Sequence, residues 1–348
     1  MGVEEVHGDG ALRFVGTSTE PRRRTVGEVG ERALIALFAE AASDGGRVSG
    51  DVVIGSGDDA AVLTPNGPVV VSTDTAVAGR HFRFDWSSPE QIGARAVVQS
   101  AADVAAMGGV LGGIVVSIGC PPHTPVERVL AINSGIVEQT HRYGGRVLGG
   151  DLVSSPTVIL TVTSVGSLVD VAPVTLSGAE PGDELAVSGP LGAAAGGLAV
   201  LSAIENGADP ALAERFSSLV EGYRLPQPDL DDGPRAARAG ARAMTDVSDG
   251  LVEELITMAA ASGAPLDVDS ARVPRAEGLD ALGAELGVDP VRWALTGGED
   301  HVLLAAFRPG ETPDGWIAIG VVGDGETAAR VDGAPAGELR GWESFTEE

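Results

Sequence analysis

Seven aspartates carry the chemistry that this sequence could do, and they sit where short apolar runs end in Gly, Ser or Thr. Asp58 and Asp59 follow Val52-Val53-Ile54-Gly55, Asp74 follows Val69-Val70-Val71-Ser72-Thr73, Asp151 follows Val147-Leu148-Gly149-Gly150, and Asp103, Asp246 and Asp249 complete the set. Carboxylates gathered at strand ends repel one another by about 4 kcal/mol per close pair at an effective dielectric near 20, so a shared site requires hard cations. All 23 basic side chains are Arg. A Walker A lysine, a kinase strand lysine and a Schiff-base lysine are therefore excluded. The combination points to phosphate chemistry carried by metal ions.

The elements that must position these groups alternate along the chain. A helix is expected over Val26 to Ala42, stopped by Gly45-Gly46, followed by strands at Val52 to Gly55 and Val69 to Ser72. Ser88-Pro89-Glu90-Gln91 reads as an N-cap, a first-turn proline and a capping-box partner, opening a helix to Met107. Asp103 stands eleven residues beyond Ile92 on the apolar face of that helix. A carboxylate there must be protonated, hydrogen-bonded or metal-bound. Further strands are expected at Gly113 to Ile118, Val147-Leu148 and Val158 to Gly166, with a helix from Pro125 to Tyr143 between the first two. The Pro- and Gly-containing stretch Leu168 to Gly182 is the candidate domain junction. Beyond it, Glu184 to Ser188, His301 to Phe307 and Trp316 to Val322 read as strands, and Leu191 to Glu205 and Leu251 to Ala261 as helices. The division is thus a polar leader at 1–25, an N-terminal domain at 26–168 and a C-terminal domain at 169–348.

With 348 residues, 43% of them hydrophobic and 21% charged, the chain reads as two soluble globular domains. A formal net charge of -27 argues against nucleic acid or an anionic membrane as partner. Cys120 is the only cysteine, which excludes an intrachain disulfide and a thiolate metal cluster and fits a reducing cytoplasm. No apolar run reaches membrane-spanning length, and Met1 to Thr25 lacks the basic and apolar regions of a signal peptide.

Each motif also has a plainer reading. Gly57-Asp58-Asp59 could be only a turn, and Ser72-Thr73-Asp74 only a strand end, although its two hydroxyls and carboxylate suit Mg²⁺. Gly149-Gly150-Asp151 lets backbone approach a phosphate closely. Ser248 or Asp249 could cap the Leu251 helix, or that helix start could hold an anion. His81 has a structural alternative, and no His, Cys and carboxylate spacing suggests zinc. No complete GxGxxG fingerprint or GxSxG elbow occurs.

At these residues the chain resembles the thiamine-monophosphate kinase family, within the superfamily of aminoimidazole ribonucleotide synthetase and selenophosphate synthetase. The carriers are Gly57-Asp58-Asp59-Ala60-Ala61, Ser72-Thr73-Asp74-Thr75 through Ala78-Gly79-Arg80-His81-Phe82, Asp103-Val104-Ala105-Ala106-Met107-Gly108, Gly149-Gly150-Asp151, Asp246-Val247-Ser248-Asp249-Gly250-Leu251 and Gly297-Gly298-Glu299-Asp300. The resemblance implies a two-domain α/β (α+β) fold, an N-terminal mixed-sheet domain plus a C-terminal α/β domain, with ATP and several Mg²⁺ ions between them. It also implies a homodimer built through N-terminal strands. The implied metal positions are Asp59, Ser72, Thr73, Asp74, Asp103, Asp151, Asp246 and Asp249, and the nucleotide contacts are Tyr143, Gly150, Asp151 and Ser248. His81, Glu299 and Trp342 are the implied contacts of thiamine monophosphate, and an aromatic face suits its cationic thiazolium ring. Phosphoryl transfer would then be direct, with no protein nucleophile. One departure stands out: the family's basic residue before Ser-Gly-Ala is replaced here by Leu176 in Thr175-Leu176-Ser177-Gly178-Ala179-Glu180. Alternatives within this reading are an aminoimidazole ribonucleotide synthetase-like enzyme and a non-catalytic nucleotide or divalent-ion binder; the reactive Cys of a selenophosphate synthetase is missing.

Overall fold

Two mixed sheets, each carrying helices, organise the chain in the computed structural model, which describes residues 24–42, 51–56 and 58–342. The leader up to residue 23, the Gly45-Gly46 stop, Gly57 and the Glu343-Ser344-Phe345 segment lie outside the described residues. The first half contains α1 (Val26–Val29), α2 (Glu31–Ala42), β1 (Asp51–Ile54), β2 (Val62–Thr64), β3 (Val69–Val77), α3 (Pro89–Ala106), β4 (Val110–Cys120), α4 (Val126–Arg142), β5 (Arg146–Ser154) and β6 (Ile159–Ser167). The second half contains β7 (Glu184–Val187), α5 (Ala193–Glu205), α6 (Leu212–Arg215), α7 (Ser217–Arg224), α8 (Asp232–Arg238), β8 (Ala243–Asp246), α9 (Leu251–Ser262) and β9 (Leu266–Val268). It ends with α10 (Leu279–Leu286), α11 (Pro290–Thr296), β10 (Leu303–Phe307), β11 (Ile317–Val322), β12 (Ala329–Val331) and β13 (Ala334–Pro335).

The N-terminal sheet runs β3-β6-β4-β5, with β6 antiparallel to β3 and β4, and β5 parallel to β4. Alternate residues of β3 and β6 bury against α3 and α4, forming a core around Val97, Ile114, Ile132, Ile136, Leu160 and Val162. The two helices approach closely because Gly135 faces the Glu90 carbonyl, where a Cβ would come to 1.9 Å. Ser88 and Gln91 form the expected capping box at the start of α3. Among the described residues nothing covers the other sheet face: Val69, Val71, Val115 and Val153 are exposed there, beside Thr73–Thr163 and Thr75–Thr161 hydroxyl pairs.

The seven-stranded C-terminal sheet has the order β13-β12-β9-β11-β7-β10-β8 and is antiparallel except for the β12-β9 pair. Its core packs Leu185, Val187 and Leu304 against Leu251, Leu255 and Met258 of α9. The end of α3 also packs across to this half, with Gly233 of α8 facing the Ala105 carbonyl, where a Cβ would come to 2.0 Å.

Several expected boundaries shift. The first helix is broken at Gly30, whose φ of 83° a helix cannot hold. Strand β3 continues past Ser72 to Val77, placing Asp74 within a strand instead of after one, because the β-branched Thr73, Thr75 and Val77 prolong the pairing. Strand β5 extends to Ser154 and likewise contains Asp151. The strand expected from His301 starts at Leu303, since His301 has a left-handed backbone.

Candidate active site

Strand parity decides which of the aspartates can meet. Ser72 and Asp74 project from β3 toward α3, whereas Thr73 between them projects to the open face and pairs with Thr163. On α3, Asp103 reaches the same spot and accepts a short hydrogen bond from the Ser72 hydroxyl. From the other half of the molecule, β8 ends in Asp246, which is 5% exposed. Burial comes first in pushing the Asp103 carboxyl up to about 7, with Asp246 and Asp74 adding to it and the Ser72 bond opposing. The Asp74 carboxyl is raised as well, by burial and then by Asp246. Its Oδ2 is buried and, among the described residues, has no hydrogen-bond partner. Two half-buried carboxylates are thus crowded against a third, with an acceptor oxygen left over.

The turn between α11 and β10 supplies the counterweight. Glu299 (φ 69°) and His301 (φ 54°) both adopt the left-handed region, which costs on the order of 1 kcal/mol or more for each non-glycine residue. Backbone bonds hold them there: Glu299 N–H donates to the Ser248 carbonyl (2.7 Å) and His301 N–H to the Val247 carbonyl (3.0 Å). The buried His301 ring sets Nδ1 2.9 Å from Asp246 Oδ2 and Nε2 3.4 Å from Glu299 Oε2. Burial alone would lower its pKa, but the bonds to Asp246 and Glu299 outweigh that and raise it to about 10, so both nitrogens donate. Glu299 in turn receives Arg95 of α3 at 2.9 Å and Gln99 at 3.0 and 3.1 Å. Burial raises its carboxyl, yet Arg95 and His301 hold it far below the usual carboxylate range. Between them Asp300 caps α5, accepting from Gly192 N–H (2.5 Å) and Ala194 N–H (3.0 Å). Glu254 of α9 accepts from Asp249 N–H (3.3 Å) and the Ser248 hydroxyl (3.4 Å), and burial next to Asp246 pushes it up to about 7.

Beside this charged end lies a cavity of about 600 Å³ between the two halves. Its walls include His81, Trp86, Tyr223, Trp293, Glu299 and Trp342. The Arg80 guanidinium sits 5.6 Å above the Trp342 ring, so that ring already accepts a cation. His81 accepts the Val77 N–H through Nδ1 (3.1 Å).

The structure therefore places His81, Ser248, Glu299 and Trp342 on the cavity wall, and Ser72, Asp74, Asp103, Asp246 and Asp249 in a carboxylate cluster next to Glu299, the two together forming the candidate cleft. It does not bring the remaining expected residues to that cleft. Asp151 is exposed on the open face of the sheet, three strands from β3, and Thr73 shares that face. Gly150 is level with Asp74 across the sheet but about 14 Å away by strand spacing. Asp59 is exposed beyond β1, with its N–H bonded to Asp58. Tyr143 caps α4 and its hydroxyl approaches the Pro228 carbonyl at 3.5 Å. Sequence reasoning missed His301, Arg95, Gln99 and Glu254. The signal for Arg95 was an arginine on an otherwise apolar helix face.

Comparison with known proteins closes the identification. Residues 57–168 match the family described as AIR synthase related protein, N-terminal domain, and residues 180–311 match its C-terminal domain. The chain is 42% identical to thiamine-monophosphate kinase of Mycobacterium tuberculosis (strain ATCC 25618 / H37Rv) over 325 residues, 93% of this chain and 94% of that one. The chain belongs to the thiamine-monophosphate kinase family. Thiamine-monophosphate kinase from Stenotrophomonas maltophilia K279a superposes with a TM-score of 0.75 at 29% identity, covering 87% of this chain and 96% of the other. The complex of AaThiL with AMPPCP and TMP gives a TM-score of 0.73 at 27% identity, covering 91% and 98%. The expected two-domain α/β fold and the family resemblance are both borne out, and with the kinase family comes an enzyme assignment.

Proposed function

We propose that this protein phosphorylates thiamine monophosphate to thiamine diphosphate at the expense of ATP, in the cleft that joins the aromatic cavity to the carboxylates of Asp74, Asp103 and Asp246. One observation carries the reading: the unpartnered, buried Asp74 Oδ2 lies among carboxylates that a cation would relieve, at the end of a cavity whose aromatic wall suits a cationic ring. The donor set is all hard oxygen, as magnesium prefers. Among the described residues no three acidic, His or Cys side chains form a ready cage for one ion. That fits ions shared between one or two carboxylates and nucleotide phosphates.

Asp74, Asp103, Asp246 and Asp249 are the proposed holders of the ions in this cleft, with Ser72 orienting Asp103. Bound magnesium supplies charge neutralisation and alignment of the two phosphates. An oxygen of the substrate phosphate attacks the γ-phosphorus of ATP in line, the bond to the bridging oxygen breaks, and ADP leaves. The substrate phosphate is already largely ionised near pH 7, so the chain needs no nucleophile and no general base. Its share is orientation: Trp342 and His81 hold the acceptor, and Ser248 contacts the nucleotide.

We further propose a homodimer through the open sheet face, whose exposed valines would lose water contact there. From the family resemblance we also propose that Asp59, Thr73 and Asp151 bind metal and that Tyr143, Gly150 and Asp151 contact the nucleotide; Thr73 and Asp151 lie on the face that a second copy would cover. Domain limits at 26–168 and 169–348 are part of the same proposal, as is a cytoplasmic setting.

The test is incubation of the pure protein with ATP, Mg²⁺ and thiamine monophosphate, with thiamine diphosphate sought by mass. Product in stoichiometric step with ADP supports the kinase. ATP binding with no diphosphate product overturns it in favour of a non-catalytic binder, and turnover of ATP with a different acceptor overturns it in favour of another superfamily enzyme.

A further inference from the structure

Resting on that reading, we propose that His301 is a positioning residue that links the acceptor cavity to the carboxylate end of the cleft, so that each substrate tightens the binding of the other. His301 is 2% exposed and is absent from the cavity wall, so it acts through its neighbours. Its two nitrogens point at carboxylates of different duty: Asp246 at 2.9 Å and Glu299 at 3.4 Å. Asp246 belongs to the proposed nucleotide and metal end, and Glu299 forms part of the cavity wall.

The ring is rigid and its backbone is pinned, with a φ of 54° and an N–H bond to Val247. It can therefore trade one contact for the other only by small tilts. In this structure the ring favours Asp246, and the Glu299 contact is long. Among the described residues the Glu299 carboxylate is otherwise held from α3, by Arg95 and Gln99, which belong to the other half of the molecule. When Asp246 turns toward a cation that arrives with a nucleotide, the ring is released to close on Glu299. Glu299 is then fixed from both halves, the cavity wall is set, and the acceptor binds more tightly. Linkage requires the reverse effect to be equal in size.

The experiment is calorimetric titration of the full chain with thiamine monophosphate, with and without saturating Mg²⁺ and a non-hydrolysable ATP analogue. Wild type is compared with His301→Asn. Asn tolerates the left-handed backbone and can keep the Asp246 contact while falling short of Glu299. We expect the nucleotide to tighten acceptor binding on the order of tenfold in wild type and to leave it unchanged in His301→Asn. An equal ratio in the two proteins, or no coupling in wild type, overturns the proposal. Wild type that binds neither ligand overturns the functional reading itself, so the two failures are distinguishable. Should His301→Asn not fold, as judged by its melting transition, the wild-type imidazole N–H resonances decide the matter. Adding Mg²⁺ and the analogue alone must shift the Nε2–H signal of His301, and an unmoved signal is contrary to the coupling.

Discussion

Glu299 and Asp103 are both half-buried carboxylates of the same cleft, yet their charges are treated in opposite ways. Burial raises each of them, but Arg95 and His301 hold Glu299 far below the usual range, while Asp246 and Asp74 help to drive Asp103 up to about 7. Exposure does not separate the two; partners do. Glu299 is a paired carboxylate, held by Arg95 and Gln99 as part of the cavity wall. Asp103 and its neighbour Asp74 are unfinished, and on the proposed function a cation would complete them. On the proposed function, a site with one satisfied end and one unsatisfied end would bind its acceptor by shape and its nucleotide by charge.

Breaking the unsatisfied end has the largest expected effect. Asp74→Asn should lower kcat by about 10²–10³, the cost of losing one well-placed electrostatic contact to the transition state. In metal-free buffer the same variant should melt no lower than wild type, because a carboxylate repelled by Asp246 and Glu299 has become neutral. Near-normal turnover, measured as thiamine diphosphate formed at limiting Mg²⁺, would contradict the role given to this residue.

Breaking the satisfied end should act on stability instead. Arg95→Met strands Glu299 with Gln99 and His301 alone and should cost about 3 kcal/mol in urea unfolding. Pairing it with Glu299→Gln should restore most of that loss, since the stranded charge is gone. If the single variant unfolds like wild type, the ion pair is not what secures the wall.

How far the sequence went is clearest in this same pair of ends. Asp74, Asp103 and Asp246 were legible because carboxylates on apolar elements demand an explanation from composition alone. Their company was not legible. His301 meets Asp246 across 55 residues, and only through a left-handed turn that no residue type announces. Arg95 resembles any arginine until α3 is placed against Glu299. The direction in which Asp151 points was hidden for a different reason, namely register. A bulge opposite Ile114 and Val115 lets β5 carry one extra residue, and this sends Asp151 to the open face while Leu152 faces the core. The fold class came through since alternation of strands and helices survives such slips, whereas boundaries such as the break at Gly30 do not show in hydrophobic pattern.

The pH response sharpens the comparison at Asp103. In the unfolded chain this group ionises near 3.8, and in the folded protein near 7. Between those values the unfolded state releases a proton that the folded state keeps, so the group favours unfolding more strongly as pH rises, in full above about 7. Asp103→Asn removes that penalty. Metal-free melting curves should therefore show the variant equal to wild type near pH 4 and several degrees more stable at pH 8, with added Mg²⁺ erasing the difference by stabilising wild type alone. A gap that is constant across pH would mean that Asp103 does not titrate as its surroundings dictate.

The smallest expected effect comes from moving charge to the edge of the unsatisfied end. Leu176 lies in the loop whose Thr175 carbonyl accepts the Met244 N–H, two residues before Asp246, and its own carbonyl accepts the Ser262 hydroxyl (3.2 Å). These are backbone contacts, so the side chain can change without moving the loop. The acidic neighbour Glu180 is already matched by Arg242 at 2.5 Å, and Asp183 by the same guanidinium at 3.2 Å. A new arginine at 176 would therefore have phosphate as its best remaining anion. Leu176→Arg should lower the KM for ATP by about fivefold, near 1 kcal/mol for a partly solvated pair, with kcat and the KM for thiamine monophosphate unchanged. High salt should abolish the gain. An unchanged KM for ATP would mean that this loop does not face the phosphates, and that the carboxylates and their ions hold the nucleotide without help from a cationic side chain.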